Sequence, residues 1–315
     1  MSPNPGVQFS RYCKLLVSTD AGQVVDLSEF RIVFSIKRSN SQTPNAADIR
    51  IYNLAPDTAL SLANTTVFTT VQLQAGYVGN TGTIFQGDIK QVIVGRESAT
   101  DTFIEIIAGD GHLAYNYAVI SQPLPANTTS QADIAACIKS LSDYGVMASG
   151  NVTVTQARAR YRAKVLFGQT KKCLRDVTQT TGSPWSIQNE KLVFVPTKSF
   201  LPGEVIIINS ETGMVGSPQQ TLEGINFKCL LNPNLQISRK VQLNQNSIQR
   251  LAINLSAPGT AASIPAPINT DGVYYVSVAE HVGDTRGVEW YTNVITLFID
   301  PSLPMQNSIP VTYEQ

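Results

Sequence analysis

Residues 30 to 37 read Phe-Arg-Ile-Val-Phe-Ser-Ile-Lys, with Phe30, Ile32, Phe34 and Ile36 on every second position and Arg31, Val33, Ser35 and Lys37 between them. A repeat of two marks an extended chain with one buried face, because successive side chains of a strand point to opposite sides. Ile49 and Ile51 repeat the pattern in DIRIYNL, and VFTTVQLQAGY, TIFQGDIKQVIVGRE and DTFIEIIAG carry it to about residue 110. Gly76, Gly79, Gly82, Gly95 and Gly109 punctuate these runs and are expected as turns. Pro56-Asp57 opens a short helix over TALSLAN. The first part of the chain therefore predicts a β-barrel or sandwich of roughly one hundred residues.

The middle changes period. In TTSQADIAACIKSLSDYG, Ile134, Cys137, Ile138 and Leu141 fall at helical spacing, with Ser130 as expected cap and Gly145 as left-handed stop. A second helix fits QTKKCLRDVTQTTG, between Thr170 as cap and Gly182 as stop. PWSIQNEKLVFVP then predicts a hairpin turning at Asn189-Glu190. From about residue 201 the β pattern returns in EVIIIN, GINFKCLL, KVQLN, GVYYVSVAEHV and WYTNVITLFI. SAPGTAASIPAPINTDG, rich in Pro, Ala and Ser, is expected to be a flexible loop, and the tail after Pro301 to be extended. The expected fold is mainly β with a small α+β insert: a first β domain over 1–118, an α+β domain over 119–200, and a second β domain over 201–315 with a flexible 256–271 loop.

Such a division suits 315 residues, which is long for one hydrophobic core. Charged residues make up only 15% of the chain, against roughly 25% in a typical soluble domain. A neutral-polar surface suits burial against partners, because buried unpaired charge is what penalises an interface most. Basic and acidic side chains balance at 23 each, which leaves no overall phosphate footprint. Cys13, Cys137, Cys173 and Cys229 are scattered through apolar stretches, as small core residues rather than a disulfide or zinc framework. The N-terminal MSPNPGVQFSRYCK has no long apolar run, so no signal peptide is expected, and no segment reaches the ~20 apolar residues of a membrane span.

Catalytic chemistry finds little to stand on. His112 follows Asp110 in GDGHLAY, where a histidine at the turn after a strand explains it better than an acid–base pair. His281 adjoins Glu280 on a predicted strand, and strand neighbours face opposite sides. No GxSxG, P-loop, GxGxxG or HExxH pattern is present. No catalytic residue, cofactor or metal ligand is expected.

Five segments carry more than periodicity. SNSQTPNAADIRIYNL (39–54), IFQGDIKQVIVGRE (84–97), SPWSIQNEKLVFVP (183–196), GMVGSPQQTLEGINFKCLLNPNLQ (213–236) and GVYYVSVAEHVGDTRGVEWYT (272–292) occur in this order. Together they resemble the baseplate hub proteins of contractile-tailed bacteriophages, which are related to the carrier part of type VI secretion spikes. The positions carrying the resemblance are Thr43, Pro44, Asn45, Tyr52, Asn53, Gly87, Gly213, Pro218, Gly224, Asn232, Pro233, Gly283, Asp284, Arg286, Gly287 and Trp290. Local chemistry accounts for several of them. Thr43-Pro44-Asn45 makes a sharp connection, Asn232-Pro233 closes the strand ending at Leu231, and Gly283 to Gly287 is a hairpin turn. There Asp284 is expected to hold backbone amides and Arg286 to pair with a carboxylate. For Arg286, Glu289 and Trp290 an interface role stands beside a local hairpin salt bridge.

The resemblance implies two tube-like β-barrel domains flanking the insert. Three such chains form a pseudo-hexameric ring that joins a six-fold tail tube to a three-fold central spike. It implies a structural protein and not an enzyme: a homotrimer in the virion tail baseplate, assembled in the host bacterial cytoplasm. Its partners are then a tail tube or adaptor protein, a central spike protein and the tape measure protein, with DNA passing through the channel without specific binding and no membrane insertion. One alternative is a hexameric distal-tail or tube-adaptor protein, which uses the same barrel in six copies. Another is a β-rich hydrolase or carbohydrate-binding module, which requires a concave site with clustered aromatics or carboxylates.

Overall fold

The structure is a computed structural model that describes residues 10–19, 22–63, 68–152, 159–196, 200–221, 224–249 and 271–297. The chain begins with β1 (Arg11–Thr19), β2 (Val24–Asp26), β3 (Ile32–Ser39), β4 (Ala46–Tyr52) and helix α1 (Pro56–Ala63). β5 (Phe68–Tyr77), β6 (Asn80–Arg96) and β7 (Thr102–Gly109) complete the first β part. The middle holds α2 (His112–Tyr117), β8 (Val119–Leu124), α3 (Ser130–Ser142), β9 (Met147–Val152), β10 (Lys164–Gln169), α4 (Thr170–Thr181), β11 (Trp185–Ile187) and β12 (Lys191–Phe194). The last part holds β13 (Ile206–Ile208), β14 (Met214–Gln220), β15 (Ile225–Leu230), β16 (Lys240–Leu243), β17 (Val273–Asp284) and β18 (Trp290–Leu297).

Thirteen strands form one sheet in the order β14-β15-β18-β17-β3-β4-β7-β6-β5-β1-β2, with β16 also on β17 and β13 on β16. The alternation read at residues 32 to 36 becomes burial: Ile32, Phe34 and Ile36 are inside, while Val33, Ser35 and Lys37 are half-buried or exposed. Strand β17 joins the first and last parts. Its start pairs with β16 (Gln242↔Val273 to Lys240↔Tyr275), and from Val278 the same edge pairs with β3 (Ser39↔Val278 to Val33↔Asp284). A bulge between Val276 and Val278 separates the two stretches. It also reverses which positions face inward, from Tyr274 and Val276 to Ala279, His281 and Gly283. One extra residue shifts a period-two pattern by one face, so a single strand can serve two cores.

Those cores are distinct. Ile32, Phe34, Ile49, Val71, Leu73 and Ile106 belong to the first, which Leu231 and Trp290 join from the far end of the sequence. Ile134, Leu141, Leu174, Trp185 and Phe194 belong to the second, and Ile225, Leu235, Val241 and Val276 to the third. Trp290 reaches the first core because β18 lies beside β17; its ring meets Phe34 edge-on at 5.4 Å, and its Nε1 donates to Gly76 O at 3.2 Å.

Several expectations change. No closed barrel forms by strand pairing among the described residues; the sheet runs open from β14 to β2. Of the five glycines expected as turns, only Gly79 lies between strands. Gly76, Gly82, Gly95 and Gly109 are paired ladder positions, and Gly95 lies so close under the Phe103 ring that a Cβ would overlap it. The two middle helices form as expected, with Gly182 left-handed after α4 and Gly145 left-handed two residues beyond Asp143, which ends α3. Their starts differ by one residue: Thr129 and Gln169 are the cap positions, without side-chain capping bonds. Thr170 instead points inward, where its Oγ1 meets Ser140 Oγ at 2.8 Å. The 256–271 loop, apart from Asp271, and the tail after Pro301 lie outside the described residues.

Candidate functional site

The 39–54 and 183–196 segments, remote in sequence, meet at one buried polar node. The chain leaves β7 at Asp110 and returns through the β11–β12 hairpin, whose turn residues Asn189 (φ 53°) and Glu190 (φ 59°) are both left-handed. Such a tight turn aims successive amides to one side. Asp110 accepts both, from Asn189 N at 2.6 Å and Glu190 N at 2.7 Å. Asn45 supplies the third bond to this carboxylate, at 3.2 Å, and donates to Ile187 O, 142 positions away, at 3.0 Å. Its own Oδ1 accepts from Ser39 N, so Asn45 works through its side chain and not through an unusual backbone. Arg38 closes the node: Nη2 donates to Gln188 Oε1 at 3.1 Å and Nη1 to Ile84 O at 3.3 Å.

Arg38, Asn45 and Asp110 are all buried. Burial pushes the Asp110 carboxyl up to about 6, opposed by the amides and by the Arg38 charge. It pulls the Arg38 guanidinium below its ordinary value. His281, also buried, is driven down to about 3 by burial and then by Arg38, and is neutral at physiological pH. Its Nδ1 lies 3.0 Å from Thr292 Oγ1, while Glu280 on the opposite face pairs with Lys37 at 3.7 Å. His112 is the first residue of α2 and meets Asn116, not Asp110. Neither histidine is part of an acid–base pair.

The hairpin joining β17 to β18 is held from outside. Asp284 accepts Arg286 N at 2.9 Å, as expected of its turn position, but its ion pair at 2.8 Å is with Arg31. That bond holds the Asp284 carboxyl below the usual range. Arg286 has no carboxylate partner among the described residues; its Nη2 donates to Glu29 O at 3.3 Å. Arg11 donates to Gly287 O at 2.6 Å and Val288 O at 3.2 Å, with its guanidinium 5.5 Å from the Trp290 ring centre. Trp290 is only 1% exposed and so is core, not interface; Arg286, Val288 and Glu289 are exposed at the tip. Gly283 has no room for a Cβ, which would overlap Phe34 and Trp290, and Gly287 likewise lies against Asp284.

The other motif positions do local work. Asn53 is left-handed and its Oδ1 accepts Thr102 N at 3.0 Å, while Tyr52 next to it is buried. Gly87 allows β6 to approach Gly109 O to within 2.7 Å of where a Cβ would stand. Gly213 is left-handed at the start of β14, and Pro218 sits at that edge strand's irregularity, where its missing N–H costs nothing. Gly224 has φ 154° and touches Thr296 backbone. Asn232 accepts from Asn80 Nδ2 at 3.3 Å, and Pro233 lies against Gly82, docking this turn on the β5–β6 hairpin. Thr43 Oγ1 meets Ser41 Oγ at 2.7 Å in the loop that Pro44 rigidifies.

In the central strands of the large sheet, alternate side chains are buried on one face, and among the described residues the other, open face is half-buried to exposed. Register places Lys228, Asn293, Glu280, Lys37 and Ala46 in one cross-strand row of that open face. Leu230, Tyr291, Val282, Ser35, Asp48 and Ile107 form the next. Its charges are partly paired: Lys37 with Glu280, Arg50 with Glu105 at 2.8 Å, and Lys228 over the Tyr291 ring at 4.0 Å. Asp48 lies beside Glu105, and burial together with that like charge raises its carboxyl above the ordinary value. A shallow groove of about 460 Å³ crosses the β14–β15–β18–β17 end and is lined by Val215, Lys228, Glu280 and Asn293. It holds no paired carboxylates, and both tryptophans are buried away from it. Among the described residues there is no cluster of three metal-ligating side chains, and no helix long and apolar enough to cross a membrane.

No curated protein sequence matches the chain. Solved structures share its fold. One is the 43 kDa tail protein of prophage MuSo2 from Shewanella oneidensis, with TM-score 0.55 and 9% identity over 91% of this chain and 97% of that one. A tail protein from Neisseria meningitidis MC58 gives TM-score 0.53 and 9% identity over 92% and 97%. The c3393 protein of E. coli, a component of the type VI secretion system, gives 0.53 and 10% over 89% and 76%. The family model described as Baseplate hub gp41 matches residues 14–248. With most of its length matched by that model, the chain belongs to the baseplate hub gp41 family of structural phage tail proteins.

Proposed function

We propose that three copies of this chain form a pseudo-hexameric ring in the tail baseplate, joining a six-fold tube to a three-fold spike around an open channel. Residues 1–118 and 201–315 act as two tube-like β units, and 119–200 as an insert between them. The observation that carries this reading is the pairing of β3 with β17, which fuses both β parts into one sheet with a single open face. A rigidly joined pair of similar units is what allows a trimer to present six equivalent positions. In this reading the open face lines the channel. The balance of Lys37, Arg50 and Lys228 against Asp48, Glu105 and Glu280 suits passage of DNA and tape measure protein, since net positive charge would retain a polyanion through counterion release.

Two measurements test it. Purified particles should contain three copies per tail, located between tube and spike; six copies would instead identify a hexameric adaptor ring, and none would remove the chain from the virion. The double substitution Asp48→Lys with Glu105→Lys makes the open face basic. Particles should assemble with it but eject DNA more slowly, the delay shrinking as salt is raised. Unchanged ejection would refute the assignment of this face to the channel.

A further inference from the structure

Charge in this neutral chain is unevenly distributed. Residues 119–200 carry ten Lys and Arg against four Asp and Glu, while the rest carries thirteen against nineteen. Within this basic stretch, β8 and β10 form a two-stranded antiparallel ribbon with no third strand among the described residues. Ile120, Leu124 and Leu166 on one face are buried in the middle core. Register puts Val165 opposite Pro123, Phe167 opposite Ser121 and Gln169 opposite Val119 on the other face. That face is bare: Phe167 is 81% exposed, and Val119 and Val165 are each 66% exposed. Tyr117, immediately before β8, is 61% exposed.

Exposed Lys172 and Arg175 follow on α4, and exposed Arg162 precedes β10. By contrast Arg160 and Lys164 are already committed to Asp133, which accepts from both. Arg162, Lys172 and Arg175 therefore flank β10 in the chain without an ion-pair partner among the described residues, while Arg160 and Lys164 are held by Asp133.

We propose that the β8–β10 face is a docking site for an acidic, apolar-faced protein segment of another tail component, a contact beyond the ring proposed above. Charge complementarity selects the acidic character, since this is the basic part of a chain that is otherwise net acidic. The apolar face and two ribbon edges without a strand partner among the described residues suit an added strand, whose alternate side chains would extend the face made by Val165, Phe167 and Val119. Nucleic acid fits less well, because base stacking needs adjacent aromatic rings on one platform. On the ribbon's outer face Phe167 stands among Val119, Val165, Ser121 and Pro123, with the exposed Tyr117 and Tyr161 outside the two strands. A bilayer fits less well too, because interfacial anchoring uses a long amphipathic element.

The test uses the full-length protein and a fluorescently labelled peptide alternating Glu with Val and Phe. Controls are the same peptide with Lys for Glu, a 20-nucleotide oligo-dT and vesicles of phosphatidylglycerol. The acidic peptide should bind with strong salt dependence and the Lys peptide should not. Phe167→Ser, and separately Lys172→Glu with Arg175→Glu, should each weaken binding tenfold or more. These residues are exposed, so the unfolding midpoint should stay within 2 °C of wild type, which reports that the variants fold. Unchanged affinity in both variants overturns the proposal. So does tighter binding of oligo-dT or vesicles than of the acidic peptide. A loss of self-association on Phe167→Ser, seen by sedimentation, would assign the face to a second copy of the chain and also overturn it.

Discussion

Replacing Asp110 by Ala should loosen the middle of the molecule from the sheet. The carboxylate accepts the Asn189 and Glu190 amides and the Asn45 side chain, and offsets the buried charge of Arg38. Hydrogen bonds to a charged group contribute about 1.5–3 kcal/mol each, and leaving one member of a buried charge set uncompensated costs about 3–5 kcal/mol. These overlap because they share one carboxylate, so the expected loss is about 4 kcal/mol. Asp110→Asn keeps one acceptor oxygen and the shape and removes a charge that burial disfavours, so at pH 7 it should cost much less than the Ala change, about 1 kcal/mol or under. A pH titration separates the charge from the shape. The folded carboxyl lies at about 6 against an ordinary 3.8, so the fold binds this proton more tightly than the unfolded chain does. Acidification from pH 7 towards pH 4 therefore adds stability, up to about 3 kcal/mol at 1.36 kcal/mol per unit. Asp110→Asn removes that gain. Urea unfolding followed by hydrogen exchange at the β11–β12 hairpin reads the effect locally, which avoids assuming a two-state transition in a chain of this size. A loss below about 1 kcal/mol in the Ala variant, or an unaltered pH slope in the Asn variant, would refute the role given to this node.

Other substitutions check separate parts of the structure. Trp290→Ala removes a ring buried against Phe34 and should cost about 3–5 kcal/mol by equilibrium unfolding, whereas a surface tryptophan would cost far less. Arg31→Ala should cost less than about 1 kcal/mol because its side chain is 43% exposed and its ion pair is solvent-screened. Asp284→Ala should cost more than Arg31→Ala, since it also frees the Arg286 amide inside the turn. Glu190→Gly relieves a left-handed non-glycine residue and should raise the thermal midpoint slightly if its link to Gln86 is the weaker effect; a fall would mean that the 2.6 Å bond dominates. Asp133, held below its usual range by Arg160 and Lys164 despite burial, contributes stability above pH 4 that disappears as pH falls through its folded value. Arg160→Ala should abolish most of that acid sensitivity.

Much of the architecture was legible because it rests on neighbours in the chain. The strands at 32–39, 46–52 and 290–297 follow their period of two, and the Asn189-Glu190 hairpin follows its flanking apolar runs. Glycine was the weakest guide. Gly87 and Gly95 sit inside β6 because Gly109 backbone and the Phe103 ring of the next strand come too close for a Cβ, and Gly82 because Pro233, remote in sequence, packs tightly on it. Arg38 did carry a readable signal: it continues the inward parity of Ile32, Phe34 and Ile36, so a buried cation and a buried acceptor were implied. Nothing nearby named Asp110 or Gln188 as the answering groups. The change from Tyr274 and Val276 to Ala279 and His281 in β17 could not be read ahead, because Val278 and Val282 continue the apolar parity of the strand's start although the bulge turns them away from the core.

Apart from α2 and the β8–β10 ribbon, the sequence by itself determined the main elements, the two apolar periods and the family resemblance. These depend on residues within a few positions of one another, where stereochemistry leaves few choices. Tertiary structure alone decided that β3 pairs with β17, that Arg31 rather than Arg286 takes Asp284, and that Trp290 fills the first core. Each of those pairings joins segments more than two hundred residues apart. Which distant surfaces meet is set by burying apolar area and satisfying every enclosed polar group at once, a condition that only the folded chain as a whole can meet.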